Sequence, residues 1–204
     1  LSRWHHPALG AIPPARFIPL AEDCGLIEAI GEFCLFEALS QLRRWDDSGH
    51  DVPQLAVNIS AIQFGNPAFP HLVGQALAAS GIAPQRLTIE ITESVMMGSS
   101  PAASANAAML CDMGVMLSMD DFGTGYSSLS HLARLPVKEL KIDRSFMANI
   151  EDSEAARTLV TAVIRIGESL KLRVVAEGVE TLAQRRFLEA LGCDVLQGYL
   201  FGEA

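Results

Sequence analysis

The chain has 204 residues, half of them hydrophobic and 19% charged, with a formal net charge of −9 at pH 7. This composition predicts one sizeable domain, residues 1–204, with a large buried core. The acidic balance argues against DNA or RNA polymers as partners, because these are bound by basic faces. The negative net charge does not exclude a small phosphate substrate, because bound cations can make the local electrostatic potential positive. The four scattered cysteines lack zinc-site spacing, so we expect reduced thiols and a cytoplasmic location.

The first part of the chain combines an irregular segment with two helices. We predict that Leu1–Ile12 is irregular and that its two adjacent histidines belong to a polar loop rather than to a metal site. A short helix is predicted to open at Pro13 and to end at Gly25. A longer helix follows over Leu26–Asp47, where apolar residues recur at helical spacing.

From residue 55 onward, strand patterns alternate with helix patterns. The predicted strands are Leu55–Ser60, Arg86–Glu93, Val115–Asp121, Glu139–Asp143, Arg173–Glu177 and Val195–Gly198. The predicted helices are Phe69–Ser80, Pro101–Met113, Ser127–Arg134, Ser153–Leu170 and Leu182–Leu191. Strands that alternate with helices indicate a parallel sheet with right-handed crossovers.

Polar residues at the carboxyl ends of all the predicted strands favour a closed barrel over an open sheet. A doubly wound sheet concentrates its chemistry on two or three strands, whereas a TIM-like (β/α)8 barrel collects residues from every strand at one mouth. The sequence predicts six strands, whereas a (β/α)8 barrel has eight. The chain also begins at Leu1 without a Met. We therefore expect that the first strand or strands are missing from this chain and that its carboxyl end is slightly truncated.

The stretch Val115–Leu132, VMLSMDDFGTGYSSLSHL, is the most informative part of the sequence. Its apolar strand ends in two adjacent carboxylates, Asp120 and Asp121, followed by a glycine-rich turn. Adjacent acids at the end of a buried strand repel each other, and a divalent cation between them relieves the repulsion. The alternative is an Asp helix cap followed by a turn.

Oxygen donors at the ends of other strands extend this candidate site. Together they form a set that suits Mg²⁺ or Mn²⁺ rather than zinc: Asn58, Glu90, Asp120, Asp121 and Glu177. Lys141 lies between two apolar residues, so a buried amine is expected near the acids. A buried ion pair between Glu90 and Lys141 is the alternative to metal coordination.

Six motifs resemble the EAL domain, the family of bacterial cyclic di-GMP phosphodiesterases. They are NIS at Asn58–Ser60, EITES at Glu90–Ser94, MDDFGTGYSSLSHL at Met119–Leu132, LKIDRSF at Leu140–Phe146, VVAEGVET at Val174–Thr181 and QGYLF at Gln197–Phe201. The resemblance covers almost the whole chain, with the motifs in the family's order and spacing. Leu1 looks like the third letter of the family's namesake tripeptide, whose Glu would precede this chain.

The resemblance implies two metal ions. Asn58, Glu90 and Asp120 would hold the first, together with the absent namesake Glu. Asp120 would bridge to the second ion, which Asp121 and Glu177 would also hold. The resemblance implies Mg²⁺ or Mn²⁺ as these ions and Ca²⁺ as an inhibitor.

The resemblance also implies roles for residues that are not metal ligands. Lys141, with Asp143 nearby, would orient the attacking water or help to deprotonate it. Glu93 would pin the loop Phe122–Ser128, which couples a homodimer interface to the metals. Three residues would contact the substrate or support the region around it: Arg3, Glu180 and Gln197.

The implied activity is hydrolysis of cyclic di-GMP to linear pGpG in bacterial second-messenger signalling. The resemblance also implies sensor or cyclase-like domains upstream in the parent protein, and it is compatible with a parent protein that is tethered to a membrane. Because the namesake Glu is absent, this chain alone is expected to be impaired, and a receptor that binds cyclic di-GMP without cutting it is an alternative. A Schiff-base enzyme using Lys141 is a further alternative, although nearby acids disfavour a neutral lysine.

Overall fold

A computed structural model describes residues 3–97, 100–123 and 132–202 of the chain. The chain divides into two compact units. Unit 1 comprises Leu1–Glu90 and Ser99–Met116, and unit 2 comprises Ile91–Gly98 and Leu117–Ala204. Within the described residues, no helix combines the length and the apolar character needed to cross a membrane.

Unit 1 opens with a hairpin, so the prediction that Leu1–Ile12 is irregular was wrong. Strand β1, Trp4–His6, pairs antiparallel with β2, Gly10–Ile12. The turn between them is held by the ring of His6, whose Nδ1 accepts hydrogen bonds from the backbone of Ala8 and Leu9 at 3.1 and 3.3 Å. Strands of three residues are too short to show an apolar period, and so the sequence pattern did not reveal them.

The rest of unit 1 is built of helices around two strand segments. The helices are α1, Pro14–Asp23, α2, Ile27–Asp47, α3, Ala61–Gly65, α4, Phe69–Ser80, and α6, Pro101–Asp112. The core of α2 is an apolar stripe of Leu35, Leu39 and Leu42, all fully buried. The Asn106 side chain donates to the backbone carbonyls of Phe64 and Asn66, both at 2.8 Å, and so joins α6 to the end of α3.

Six parallel strands form the main sheet. They are β3, Leu55–Asn58, β4, Leu87–Thr92, β5, Met116–Phe122, β6, Glu139–Ile142, β7, Arg173–Ala176, and β8, Val195–Leu196. Their hydrogen-bonded order follows the chain, β3-β4-β5-β6-β7-β8. Helices are described in the connections β3–β4, β4–β5, β6–β7 and β7–β8. Parallel strands in sequential order with such helical connections are the topology of a TIM-like (β/α)8 barrel, and the predicted fold class is confirmed.

Unit 2 carries short helices directly after two of its strands. They are α5, Glu93–Met97, and α7, Arg144–Met147, and two longer helices follow as α8, Glu154–Leu170, and α9, Leu182–Leu191. Helix α8 packs on β6 and β7. The predicted helix Ser127–Arg134 lies mainly outside the described residues.

Candidate functional site

The two adjacent aspartates of unit 2 form a bulge at the end of β5. In the pairing with β6, Met119 lies opposite Leu140 and Phe122 opposite Ile142, so Asp120 and Asp121 together face the single residue between them, Lys141. Asp121 has a left-handed backbone, with φ of 55°, and its N–H donates to Asp120 Oδ1 at 3.0 Å. A bulge re-aims side chains that would otherwise alternate between the two faces of the sheet.

Lys141 connects the carboxylates of β5 and β7. Its side chain is 5% exposed, and its Nζ lies 2.6 Å from Glu177 Oε1 and 3.4 Å from Asp120 Oδ1. The predicted buried amine near the acids is therefore present, and it contacts two strand-end carboxylates of unit 2.

The acids of unit 2 outnumber the lysine that neutralises them. Burial raises the pKa of Asp121, and the negative charges of Asp120, Asp143 and Glu177 raise it further, against a smaller lowering by Lys141. A carboxylate whose pKa is raised by burial and by neighbouring negative charges, as that of Asp121 is, is stabilised in its ionised form when a divalent cation binds it. The donor set thus fits a hard cation such as Mg²⁺ or Mn²⁺. Across residues 3–97, 100–123 and 132–202, however, no three His, Cys, Asp or Glu side chains already form a ligand cluster.

Asp143 has a structural function besides its predicted role. Burial raises the pKa of Asp143, but hydrogen bonds from Ser145 and the charge of Arg144 outweigh it and hold that pKa below its usual range. The Ser145 N–H donates to Asp143 Oδ1 at 2.9 Å, which makes Asp143 the N-cap of α7. Its position directly after β6 brings the cap to the same end of the sheet as Lys141.

Glu93 contacts the beginning of the predicted loop. Its side chain is 5% exposed, and Oε2 accepts a hydrogen bond from the backbone N–H of Gly123 at 3.1 Å. A nearly buried carboxylate that receives a backbone N–H fixes the position of that backbone. Residues 124–128 of the predicted loop lie outside the described residues.

Asn58 and Glu90 are brought together in unit 1. They lie opposite each other in the parallel pairing of β3 and β4. Glu90 is 7% exposed, while Asn58 is exposed. The Ile59 N–H donates to the Glu90 carbonyl at 2.9 Å, which continues the pairing beyond Asn58. Arg3, also in unit 1, has an exposed side chain just before β1.

The predicted substrate residues of unit 2, Glu180 and Gln197, are both exposed and lie on segments joined by backbone hydrogen bonds. The Val179 N–H donates to the Gln197 carbonyl at 3.0 Å, and the Gln197 N–H donates to the Ala176 carbonyl at 2.9 Å. A Cβ at Gly198 would lie 2.2 Å from the Val179 carbonyl oxygen, so this close approach requires glycine. The loop after β7 is thereby joined to the segment after β8.

Gln184 is a buried residue of this region that the sequence analysis missed. Its Oε1 accepts from the backbone N–H groups of Glu180 and Thr181 at 2.7 and 3.0 Å. Its Nε2 donates to the Met147 carbonyl at 3.1 Å. The spacing Thr181-x-x-Gln184 is a capping box, which was visible in the sequence, whereas the bond to Met147 has no local pattern.

The fold and these side chains define a TIM-barrel-like domain with acids and a lysine at the carboxyl ends of its strands. The EAL domain family matches residues 1–204, and the chain belongs to this family.

Relatives with known names share most of this chain. The bifunctional diguanylate cyclase/cyclic di-GMP phosphodiesterase MucR of Pseudomonas aeruginosa is 48% identical over 202 residues, 99% of this chain and 30% of that protein. The cyclic di-GMP phosphodiesterase NbdA of the same organism is 42% identical over 201 residues, 98% of this chain and 26% of that protein. The chain therefore spans less than a third of the length of these relatives.

Solved structures agree with the fold. The MucR phosphodiesterase in complex with c-di-GMP superimposes with a TM-score of 0.94 at 47% identity, covering 98% of this chain and 81% of that one. The EAL enzyme Bd1971, bound to cAMP and cyclic di-GMP, gives a TM-score of 0.91 at 30% identity, covering 98% of this chain and 55% of that one.

Proposed function

We propose that this chain is a metal-dependent hydrolase domain that cuts cyclic di-GMP to linear pGpG. The observation that supports it most is the buried contact of Lys141 with Asp120 and Glu177, beside an Asp121 whose pKa is raised. Relatives named as cyclic di-GMP phosphodiesterases, and a structural neighbour in complex with that nucleotide, supply the substrate.

The proposed ligands are the strand-end oxygens. Asp121 and Glu177 would hold one divalent cation, Asn58 and Glu90 would hold another, and Asp120 would serve both. When bound, Mg²⁺ or Mn²⁺ would supply positive charge that reduces the repulsion between a phosphodiester and its nucleophile. Ca²⁺ is proposed to inhibit.

The chain's own residues would orient the reactants. Lys141, held by Glu177 and Asp120, offers a positive charge where negative charge grows on the phosphate, and it would position the attacking water together with Asp143. Water forms one new P–O bond, the bond from phosphorus to a ribose 3′ oxygen breaks, and a proton reaches that oxygen. The linear product keeps the phosphate at its 5′ end.

The remaining predicted residues would bind the substrate, support the region around Lys141 or hold the loop in place. Arg3, Glu180 and Gln197 would contact the nucleotide or support the region around Lys141. Glu93 would anchor the loop that begins at Gly123. We further propose a homodimer, sensor or cyclase-like domains elsewhere in the full-length protein, and a cytoplasmic site of action.

The test uses the full-length protein. It is incubated with cyclic di-GMP and Mg²⁺, Mn²⁺, Ca²⁺ or EDTA, and the products are identified by liquid chromatography and mass spectrometry. Lys141→Met is compared with Lys138→Met, which removes an exposed lysine three residues earlier. We expect pGpG with Mg²⁺ or Mn²⁺ from the wild type and from Lys138→Met. Binding of cyclic di-GMP without pGpG in any condition would overturn the hydrolase and leave a receptor.

A further inference from the structure

We propose that Gln184 is a positioning residue that fixes the Glu177 loop against helix α7. The Glu177 loop is defined as residues 177–181, between β7 and α9. This inference rests on the proposed function, because it concerns how the carboxylate of Glu177 is held relative to Asp143 and Lys141.

The amide of Gln184 joins two segments that are distant in sequence. It is 7% exposed, accepts from two backbone N–H groups of the Glu177 loop and donates to the Met147 carbonyl, 37 residues away. Both lone pairs of Oε1 are thus used within the loop, while Nε2 reaches the last residue of α7. A buried amide satisfied in this way holds its partners in one arrangement, since breaking one bond leaves a buried polar group unpaired.

Each of the two segments carries proposed site residues at its other end. Helix α7 begins at the Asp143 cap, two residues after Lys141. The Glu177 loop begins with the carboxylate that contacts Lys141 at 2.6 Å. Gln184 therefore closes a ring of contacts that runs from Lys141 through α7 to Gln184, and back through the loop to Glu177.

The loop and α7 also touch directly beside Glu177. Gly178 has φ of 71°, and a Cβ at this position would lie 2.6 Å from the Arg144 Cβ. The Glu177 N–H donates to the Ile142 carbonyl at 3.1 Å. A small shift of α7 would therefore be transmitted to the backbone of Glu177, and the Gln184–Met147 bond opposes such a shift.

Helix capping alone does not account for this geometry. Gln63 forms the same capping box with Ser60 at the start of α3, with its Oε1 accepting from the Ser60 N–H at 3.3 Å. Over the part of the chain that the structure describes, the Nε2 of Gln63 donates no hydrogen bond, whereas that of Gln184 reaches another element. The bond to Met147 is the feature that goes beyond a cap.

Three variants separate positioning from capping. Gln184→Leu removes all the hydrogen bonds of the side chain. Gln184→Glu keeps the acceptor for Glu180 and Thr181 but loses the donor to Met147. Thr181→Ala is the matched control, since it removes the cap hydroxyl that accepts from the Gln184 N–H at 3.1 Å and leaves the amide bonds in place.

The readouts are Mn²⁺ affinity by electron paramagnetic resonance, hydrogen exchange of residues 177–181, and kcat and KM for cyclic di-GMP. In Gln184→Leu we expect Mn²⁺ affinity and kcat to fall about tenfold, as for residues that orient metal ligands. KM should change little, and exchange in the loop should rise. In Gln184→Glu, hydrogen exchange of the loop amides should stay close to that of the wild type, whereas kcat should lie between the values of Gln184→Leu and the wild type. Thr181→Ala should lose thermal stability but keep the Mn²⁺ affinity of the wild type.

Equal Mn²⁺ affinity and equal kcat in Gln184→Leu and Thr181→Ala would overturn the positioning role, even with full hydrolysis by the wild type. A wild type that releases no pGpG overturns the proposed hydrolase instead. In that case the Mn²⁺ affinities of the variants still decide the role of Gln184. A wild type that binds no Mn²⁺ overturns both.

Discussion

Lys141 lies opposite Val175 in the β6–β7 pairing, yet its Nζ reaches Glu177, two residues further along, at 2.6 Å. The lysine side chain therefore extends toward the carboxyl end of the sheet, and its other neighbour there is Asp120 at 3.4 Å. The ammonium group and a metal ion would both be attracted by the same two carboxylates. This competition gives Lys141 opposite effects on metal binding and on turnover.

Lys141→Met should lower kcat by about 100- to 1,000-fold, because a charge directed at the developing negative charge is lost. The same change should leave Mn²⁺ binding unchanged or make it tighter, since a competing cation is removed from Glu177 and Asp120. Product analysis and Mn²⁺ titration by electron paramagnetic resonance measure the two effects, with Lys138→Met as the control. Weaker Mn²⁺ binding in Lys141→Met would contradict the competition.

Asp121→Asn should keep the fold and reduce turnover by more than about 100-fold, because a proposed metal ligand loses its charge. The left-handed backbone at Asp121 suits asparagine as well as aspartate. Circular dichroism checks the fold, and Asp152→Asn, at an exposed position, is the control. Activity like that of the wild type would exclude Asp121 from a shared two-metal site.

The metal-free stability of Asp121→Asn should depend on pH in a defined direction. Burial, followed by the neighbouring carboxylates, raises the pKa of Asp121 in the folded protein. Ionised Asp121 therefore destabilises the fold above its folded pKa, and this penalty disappears as pH falls below its unfolded pKa. In EDTA, the variant should be the more stable protein at pH 7, with an advantage that shrinks on acidification. Thermal unfolding between pH 7 and pH 4 measures this, and an advantage that grows on acidification would contradict it.

Glu93→Ala should lower activity about tenfold or more without altering any proposed ligand, because the Gly123 N–H loses its buried acceptor. Glu93→Gln keeps an acceptor oxygen and should restore most of the activity. Steady-state kinetics and the oligomeric state by light scattering are the measurements. If Glu93→Ala retains wild-type turnover, Glu93 does not anchor this loop.

The sequence predicted the order of the long elements because their apolar residues repeat at a helix or strand period. Helix α2 was expected over Leu26–Asp47 and spans Ile27–Asp47, and β4 was expected over Arg86–Glu93 and spans Leu87–Thr92. The short helices α3, α5 and α7 were not predicted, since four or five residues are too few to show a period.

The site was predictable in its residue types but not in its contacts. Acids at strand ends indicated Asp120 and Glu177, and an apolar setting indicated a buried Lys141. The pairing that opposes Lys141 to the bulge at Asp120 and Asp121 depends on register between strands, which no local pattern encodes. The Gln184–Met147 bond is missed for the same reason, because it joins positions 37 residues apart.

The ion pair between Asp46 and Arg86 stabilises unit 1 and involves none of the proposed metal or substrate residues. Arg86 Nη1 and Nη2 donate to the two Asp46 oxygens at 2.6 and 2.8 Å, and Nη2 also donates to the Val52 carbonyl at 2.6 Å. A bidentate contact of this kind joins the last turn of α2 to the start of β4. Its neighbour, the pair of Arg43 and Asp47 at 3.0 Å, is about half exposed and lies within one helix.

Asp46→Asn should lower the melting temperature at pH 7, whereas Asp47→Asn, the matched control, should barely change it, since exposed pairs within a helix contribute little. The hydrogen bond from Arg86 lowers the pKa of Asp46 in the folded protein. The stabilisation is therefore present above the unfolded pKa of about 3.9 and is lost as pH falls through the folded pKa. Thermal unfolding followed from pH 7 downward should show the gap between wild type and Asp46→Asn closing only below about pH 4. A gap that is constant with pH would mean that the Asp46 carboxylate charge is not what joins α2 to β4.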